Sequence, residues 1–303
     1  MSALDVAEPV VDEEIGIEVR IISRQRQVLA RLLEHRPAMA GLAMLAIVIL
    51  LALLAPLIAR YHPNAVDVGI INQNPTPAHW FGTDYLGRDT WARLLYGARV
   101  SLPAGLGAVL IACCLGVPMG VTAGYGRKLV DDLVMRPVDM LLAFPGILLA
   151  IAIVTLLGPG LTSATIAVGV AGIPSYARVA RGLTLRAREE TYVLASRVAG
   201  GSARHIMVRH VLPTIVAPLL VLATLDLSGA ILTVSALSFL GLGTQLPTAD
   251  WGTMLAQGYE HMFQSWAQVT FPGLMILFTA LGINLLGDGL SDALNPRLRG
   301  GAG

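Results

Sequence analysis

Residues 38–59 contain no charged side chain. A helix that crosses a bilayer needs about 20 predominantly apolar residues, and this run is long enough. In hydrocarbon every backbone N–H and C=O must find a partner inside the protein, so only helices and closed barrels can cross. Barrel strands alternate in apolarity over about 10 residues, whereas this run is continuously apolar, which selects the helix. Composition extends the point to the whole chain. It is 55% hydrophobic and 14% charged, against about 25% charged in soluble domains, and its mean hydropathy is +0.68. The expected class is an all-α integral membrane protein. A net charge of +1 and the lack of basic stretches interleaved with aromatics give no reason to expect a nucleic-acid partner.

Six apolar segments are expected to cross: Ala38–Ala59, Leu102–Val121, Met140–Leu157, Leu161–Ala177, Val211–Leu237 and Val269–Leu286. The fourth is weaker, holding Thr, Ser, Gly and Pro174, and the fifth is interrupted by Asp226. Arginines set the orientation through the positive-inside bias. They precede the first segment, lie between the second and third with Lys128, crowd positions 178–209, and follow the sixth at Arg297 and Arg299. Both termini are therefore expected on the cytoplasmic side. The implied organisation is a cytoplasmic segment 1–37, a first span with an external segment 38–101, a core of five spans 102–290 containing a cytoplasmic loop 180–212, and a tail 291–303. The polar start of the chain and the length of its first apolar run argue against a cleavable signal peptide.

On the external side Trp80, Trp91, Tyr96 and Trp251 suit an interfacial aromatic belt, and residues 90–100 suit a short helix leading into the second span. Asp84, Arg88 and Asp89 read as a capped turn with a surface ion pair. Gly105 and Gly107 lie inside an apolar span, where close helix packing accounts for them. Cys113 and Cys114 are adjacent and apolar in context, which suits small core fillers. No phosphate-cradling GxxxxGK[ST], HExxH, CxxC or GxSxG occurs, so no cofactor or metal is expected in this chain, and nucleotide hydrolysis is not expected of it. His205 and His210 lack an acidic partner at ligand spacing and read as surface residues.

Two regions remain as functional candidates. Asp226 stands near the middle of a span, where a carboxylate costs at least about 2.5 kcal/mol. It reads either as part of a polar pathway or as a structural carboxylate paired at a subunit interface. Asp139 and Asp288 lie at span ends, within reach of water. The second region is Glu190–Pro213, ETYVLASRVAGGSARHIMVRHVLP. It reads as a helix, a break at Gly200 and Gly201, and a second short helix stopped by Pro213. Ala195, Ser196 and Ala199 are small enough to let another surface approach, and the glycines allow a sharp turn. Two short helices at a fixed angle form a lever; the alternative is an amphipathic helix lying on the membrane surface.

That loop resembles the EAA motif of ABC importer permeases, with Ala195 and Ser196 at the alanine positions, Gly200 at the glycine and Leu212-Pro213 at the final pair. Leu194 replaces the acid of the motif, so a salt bridge made there is lost from the pattern. The blocks HWFGTDYLGRD from His79, MRPVDMLLAFPGILLAIAIV from Met135, RHVLP from Arg209, LSFLGLGTQLPTADWGTML from Leu237 and LGDGLSDALNPRLR from Leu286 resemble more narrowly the C-type permease of dipeptide, oligopeptide and glutathione importers, a family that also contains nickel importers.

The resemblance implies a type I ABC importer permease in the bacterial inner membrane. It implies a heterodimer with a B-type permease, two cytoplasmic ATPases carrying ATP and magnesium, and a periplasmic or lipid-anchored substrate-binding protein, all assembled in membrane lipid. Leu194, Ala195, Ser196, Gly200, Gly201, Arg204, Leu212 and Pro213 would form the ATPase-docking loop, with Asp226 on the translocation path. The cargo so implied is dipeptides or short oligopeptides, with glutathione or nickel as alternatives. A secondary transporter predicts internal repeats and several charges within spans, and none of the former and one of the latter is found. A membrane scaffold is the remaining rival.

Overall fold

The computed structural model describes residues 24–294. Residues 1–23 and 295–303, and with them Arg20, Arg297, Arg299 and most of the expected tail, lie outside the described part. The described residues are helical, with a single isolated bridge between Thr83 and Asp89.

Helices α1 (Arg24–Glu34) and α2 (Arg36–Leu53) are separated by His35, whose ring accepts the Ala38 N–H at 3.3 Å and caps α2. A short α3 (Ala55–Ile58) follows. After a segment with one 3₁₀ turn comes α4 (Thr90–Tyr125), capped by Asp89, whose carboxylate accepts the Ala92 N–H at 2.8 Å. The expected short helix at 90–100 is thus continuous with the second span. At 36 residues and about 1.5 Å per residue, α4 outruns a hydrocarbon core of about 30 Å, so its ends project beyond the hydrocarbon.

The third span departs from expectation. Residues 140–157 do not form one helix: α5 (Lys128–Leu142) and α6 (Gly146–Leu157) meet at 94°. Pro145 lacks the N–H needed to continue α5 and disfavours helical geometry at Phe144. α5 carries Lys128, Asp131, Asp132, Arg136 and Asp139 in its 15 residues, too many charges for hydrocarbon, so it lies outside the spans.

α7 (Leu161–Ala187) follows, then α8 (Thr191–Val198), α9 (Ala203–Ile206), α10 (Leu212–Phe239), α11 (Trp251–Glu260) and α12 (Ala267–Leu294). Among the described residues four helical stretches qualify as spans by length and apolarity (α2, α4, 203–239 and α12), and a fifth does if bent α5–α6 counts as one. α7 occupies the place of the expected fourth segment but is not apolar enough. The reason lies in its surroundings: it packs against α4, α6 and α10, so protein rather than lipid covers much of it.

Hydrocarbon tails are as apolar as Leu, so helices in a bilayer associate through close packing of small residues. Along α4, Gly116, Gly120 and Gly124 recur every fourth residue and meet α7. A Cβ at Gly116 would stand 2.6 Å from the Ile173 carbonyl oxygen, and one at Gly124 would stand 2.8 Å from that of Arg181. Gly41 of α2 likewise allows contact with the Gly282 backbone of α12, at 2.5 Å from such a Cβ.

The segment 60–90 and the start of α11 are more buried than their sequence suggests. Trp251 is fully buried rather than interfacial, because α11 folds its first turn against α4. The indole N–H donates to the Leu94 carbonyl at 3.1 Å, and the Trp251 backbone N–H donates to Ser101 Oγ at 3.2 Å. Asp84, Arg88 and Asp89 do not form a surface turn either: all are buried. Arg88 Nε donates to Asp84 at 2.6 Å and its Nη2 to Gln257 of α11 at 3.3 Å. His79 contacts Asp89 at 2.9 Å. The local motif looks exposed because the cover comes from residues more than 160 positions away.

Candidate docking loop and translocation cavity

α7 carries Arg178 and Arg181 into ion pairs with α5: Arg178 with Asp139 at 2.7 Å, and Arg181 with Asp131 through two donors at 2.5 and 2.6 Å. The Arg181 guanidinium holds the Asp131 carboxyl below the usual carboxylate range. Arg188 donates to the Gly124 carbonyl at 3.1 Å. These contacts fix the base from which the loop rises.

In α8, Val193 points inward and is fully buried with Ile206, Val211 and Ile215. Tyr192 Oη shares a 2.8 Å hydrogen bond with Thr214 of α10. The helix ends in a Schellman motif: Gly201 N–H donates to Ser196 O at 2.9 Å, and Gly200 N–H donates to Arg197 O at 3.1 Å. Gly200 has φ +84°, the left-handed region that a side chain opposes. Ser202 then accepts the His205 N–H at 3.3 Å and caps α9.

The second loop helix is not stopped by Pro213. Residues 203–239 form one helical path, with a π turn at Met207–Val211 immediately before α10. The Leu212 N–H reaches the Met207 carbonyl, five residues back. A proline inside an α-helix leaves a carbonyl unpaired and crowds it; the wider turn accommodates Pro213 without breaking the rod. At about 1.5 Å per residue, the 37 residues make a rod of about 55 Å that begins in the loop and carries Asp226.

The outward face of the loop carries Leu194 (44% exposed) and Val198 (90% exposed), with Ala195, Gly200 and Arg204 also exposed. Ser196 and Gly201 are partly covered, since each serves the turn. Leu212 is partly buried beside the loop core and Pro213 is exposed. Val198 is absent from the sequence-derived set. Its signal was the i, i+4 pairing with Leu194 on a helix whose inward side is marked by Val193.

Asp226 is half-buried on α10 and accepts the hydroxyl of fully buried Tyr176 at 3.1 Å. It lines a cavity of about 260 Å³ together with Ser175, Thr233, Ala108 and Gly146. Asp288 is exposed, and Asp139 is engaged by Arg178. The loop joins one end of this rod and Asp226 lies about 35 Å along it, a juxtaposition the sequence alone does not display.

A helical subunit with several bilayer-length apolar helices, an exposed loop and a cavity within its bundle that holds Ser175, Asp226 and Thr233 fits a membrane permease component. Comparison with known proteins makes it more specific. Residues 116–300 match the family described as binding-protein-dependent transport system inner membrane component. Residues 23–75 match the N-terminal TM domain of oligopeptide transport permease C. A Brucella abortus protein provisionally named a peptide transport system permease is 48% identical, over 89% of this chain and 90% of its own length. The di/tripeptide transport system permease protein of Pseudomonas aeruginosa is 43% identical, over 88% and 90%. The glutathione transport system permease protein of an Escherichia coli strain is 42% identical, over 87% of each. Among solved structures, a chain of the MetNI methionine ABC transporter in an inward-facing form shares the fold, with TM-score 0.54, 19% identity, and coverage of 68% of this chain and 97% of that one.

The chain belongs to the binding-protein-dependent transport system inner membrane components, the multi-pass permease subunits of ABC importers. That membership sets aside the secondary-transporter and scaffold alternatives.

Proposed function

We propose that this subunit carries dipeptides or short oligopeptides across the inner membrane, without itself catalysing nucleotide hydrolysis. Its partner is a B-type permease. Two ATPases dock on the loops of the pair, and a substrate-binding protein delivers cargo to the opposite face. The observation that carries this reading is the unbroken helical rod from Ala203 to Phe239, with the exposed Leu194–Val198 face at one end and the Asp226 cavity further along it. ATP-driven closure of the ATPases can shift the permease between states only by binding one of them better. A rod that moves with the docking loop gives closure that differential hold on the cavity. Leu194 in place of an acid makes the docking face apolar, so Val198 and Leu194 fill a pocket on the ATPase while Arg204 supplies charge at its edge. The relatives named for peptides favour peptide cargo; the relative named for glutathione makes that tripeptide the second reading.

The test co-expresses the chain with its candidate ATPases and compares wild type with Gly200→Pro and Val198→Glu. Wild type should retain the ATPases through purification, and both variants should lose them while inserting normally. Failure of the wild type to retain any ATPase would overturn the docking assignment. Competition of labelled dipeptide uptake by unlabelled glutathione then decides between the cargoes.

A further inference from the structure

A second cavity lies away from the loop and from Asp226, between α2, α4, α10 and α12. It encloses about 450 Å³, within the size range of small-molecule sites, about 300–1,000 Å³. Its walls are almost wholly hydrocarbon, including Val48, Leu53, Leu102, Leu106 and Ile231. It opens to the outer face of the bundle, where Leu53 is 65% and Leu106 is 48% exposed. The one charged residue in its lining is Arg99. That side chain is exposed, and its guanidinium lies over the Tyr96 ring, 5.8 Å from the centroid. No carboxylate lies within ion-pair distance of Arg99 among the described residues. Tyr96 suits the headgroup level, where amphipathic rings collect. One cation with an aromatic neighbour at the rim and hydrocarbon everywhere else is the complement of an amphiphile with an anionic head.

We infer that this cavity is a binding site for an anionic phospholipid, which seats an acyl chain between α2, α4 and α10 and places its phosphate against Arg99. A guanidinium pairs with a phosphate through charge-assisted, often bidentate hydrogen bonds. The site is continuous with the surrounding bilayer, so the occupant enters sideways and needs no path through the protein. The bound chain fills the space between α2 and α10, and α10 also carries Leu227 and Ile231 of this wall and Asp226 of the other cavity.

The full chain, purified with its partner subunits, is placed in nanodiscs of dioleoylphosphatidylglycerol and dioleoylphosphatidylcholine and then released for native mass spectrometry. Wild type should retain phosphatidylglycerol in preference to phosphatidylcholine. Arg99→Gln should lower that retention about fivefold, the attraction of one basic side chain near a membrane surface, and Arg99→Lys should restore it. Leu106→Trp, which fills the cavity, should lose both lipids. Arg99 is exposed, so its variants leave folding intact even if the tryptophan variant fails to insert. Equal retention by wild type, Arg99→Gln and Arg99→Lys would overturn the proposal. So would a photo-crosslinker at position 106 that captures the second permease chain instead of lipid.

Discussion

The indole N–H of Trp251 donates to the backbone carbonyl of Leu94 at 3.1 Å, joining α11 to the first turn of α4 across 157 positions of sequence. Gly97 makes the contact possible, since a Cβ there would stand 3.0 Å from Trp251 Cδ1. Trp251→Ala should cost about 3–5 kcal/mol through cavity formation. Trp251→Phe removes the hydrogen bond, worth about 1 kcal/mol, and part of the ring volume, so it should cost less than the alanine variant. Thermal unfolding of the detergent-purified complex checks the order; equal melting temperatures for the two variants would refute it.

Arg88 and Asp84 are both buried, and the Asp84 carboxylate also lies 3.5 Å from the buried Arg93 guanidinium. Removing one member of a buried pair strands the other, at about 3–5 kcal/mol. Asp84→Leu strands both guanidinium groups and should therefore loosen residues 60–90 and expose them to limited proteolysis, whereas Arg88→Leu leaves the carboxylate paired with Arg93 and should be milder. Equal or greater protection in Asp84→Leu than in Arg88→Leu would count against this account.

The glycine row on α4 makes a paired prediction. Gly120→Leu forces a side chain into the α7 backbone and should cost about 1–3 kcal/mol or more by overpacking. On α7 itself, a side-chain methyl at Gly182 would meet nothing within 4 Å, so Gly182→Ala should gain up to about 1 kcal/mol from helix propensity. Yield and melting temperature of the two variants should move in opposite directions.

Asp226→Asn keeps an acceptor for the Tyr176 hydroxyl and removes the charge. If the carboxylate contacts cargo, uptake should fall by about tenfold or more, the worth of one charge-assisted hydrogen bond, while the ATPases still co-purify. If it serves only as a paired interface group, assembly should fail along with uptake. Measuring both separates the two readings.

Asp131 titrates below the usual carboxylate range because Arg181 donates two hydrogen bonds to it. A depressed carboxylate contributes stability above its unfolded-state value and loses it as pH falls through its folded-state value. The α5–α7 contact should therefore weaken only in acid. The pair is partly exposed, with side chains 22% and 34% accessible, so the effect should stay within about 1 kcal/mol. Asp131→Asn should flatten the acid limb of a stability–pH profile; an unchanged limb would exclude this pair as its source.

Much of this protein was legible in its residues. The uncharged run at 38–59 and the later apolar segments dictate helices, because hydrocarbon leaves no other way to pair the backbone. Gly200 and Gly201 marked the loop turn, and the Schellman geometry there follows from local chain chemistry alone. Asp226 stood out because a charge inside an apolar run is costly wherever it points.

What the sequence could not decide is how segments distant along the chain cover one another. Trp251 and the Asp84–Arg88 pair read as surface features because their lids lie far away, on α4 and on α11. The bend before α6 and the π turn before Pro213 depend on how the chain accommodates a missing N–H, for which local propensity offers several solutions. α7 is less apolar than its neighbours because protein covers it. Local pairing rules and span length are properties of contiguous residues. Burial, and the single rod that links the loop to Asp226, arise only when helices pack.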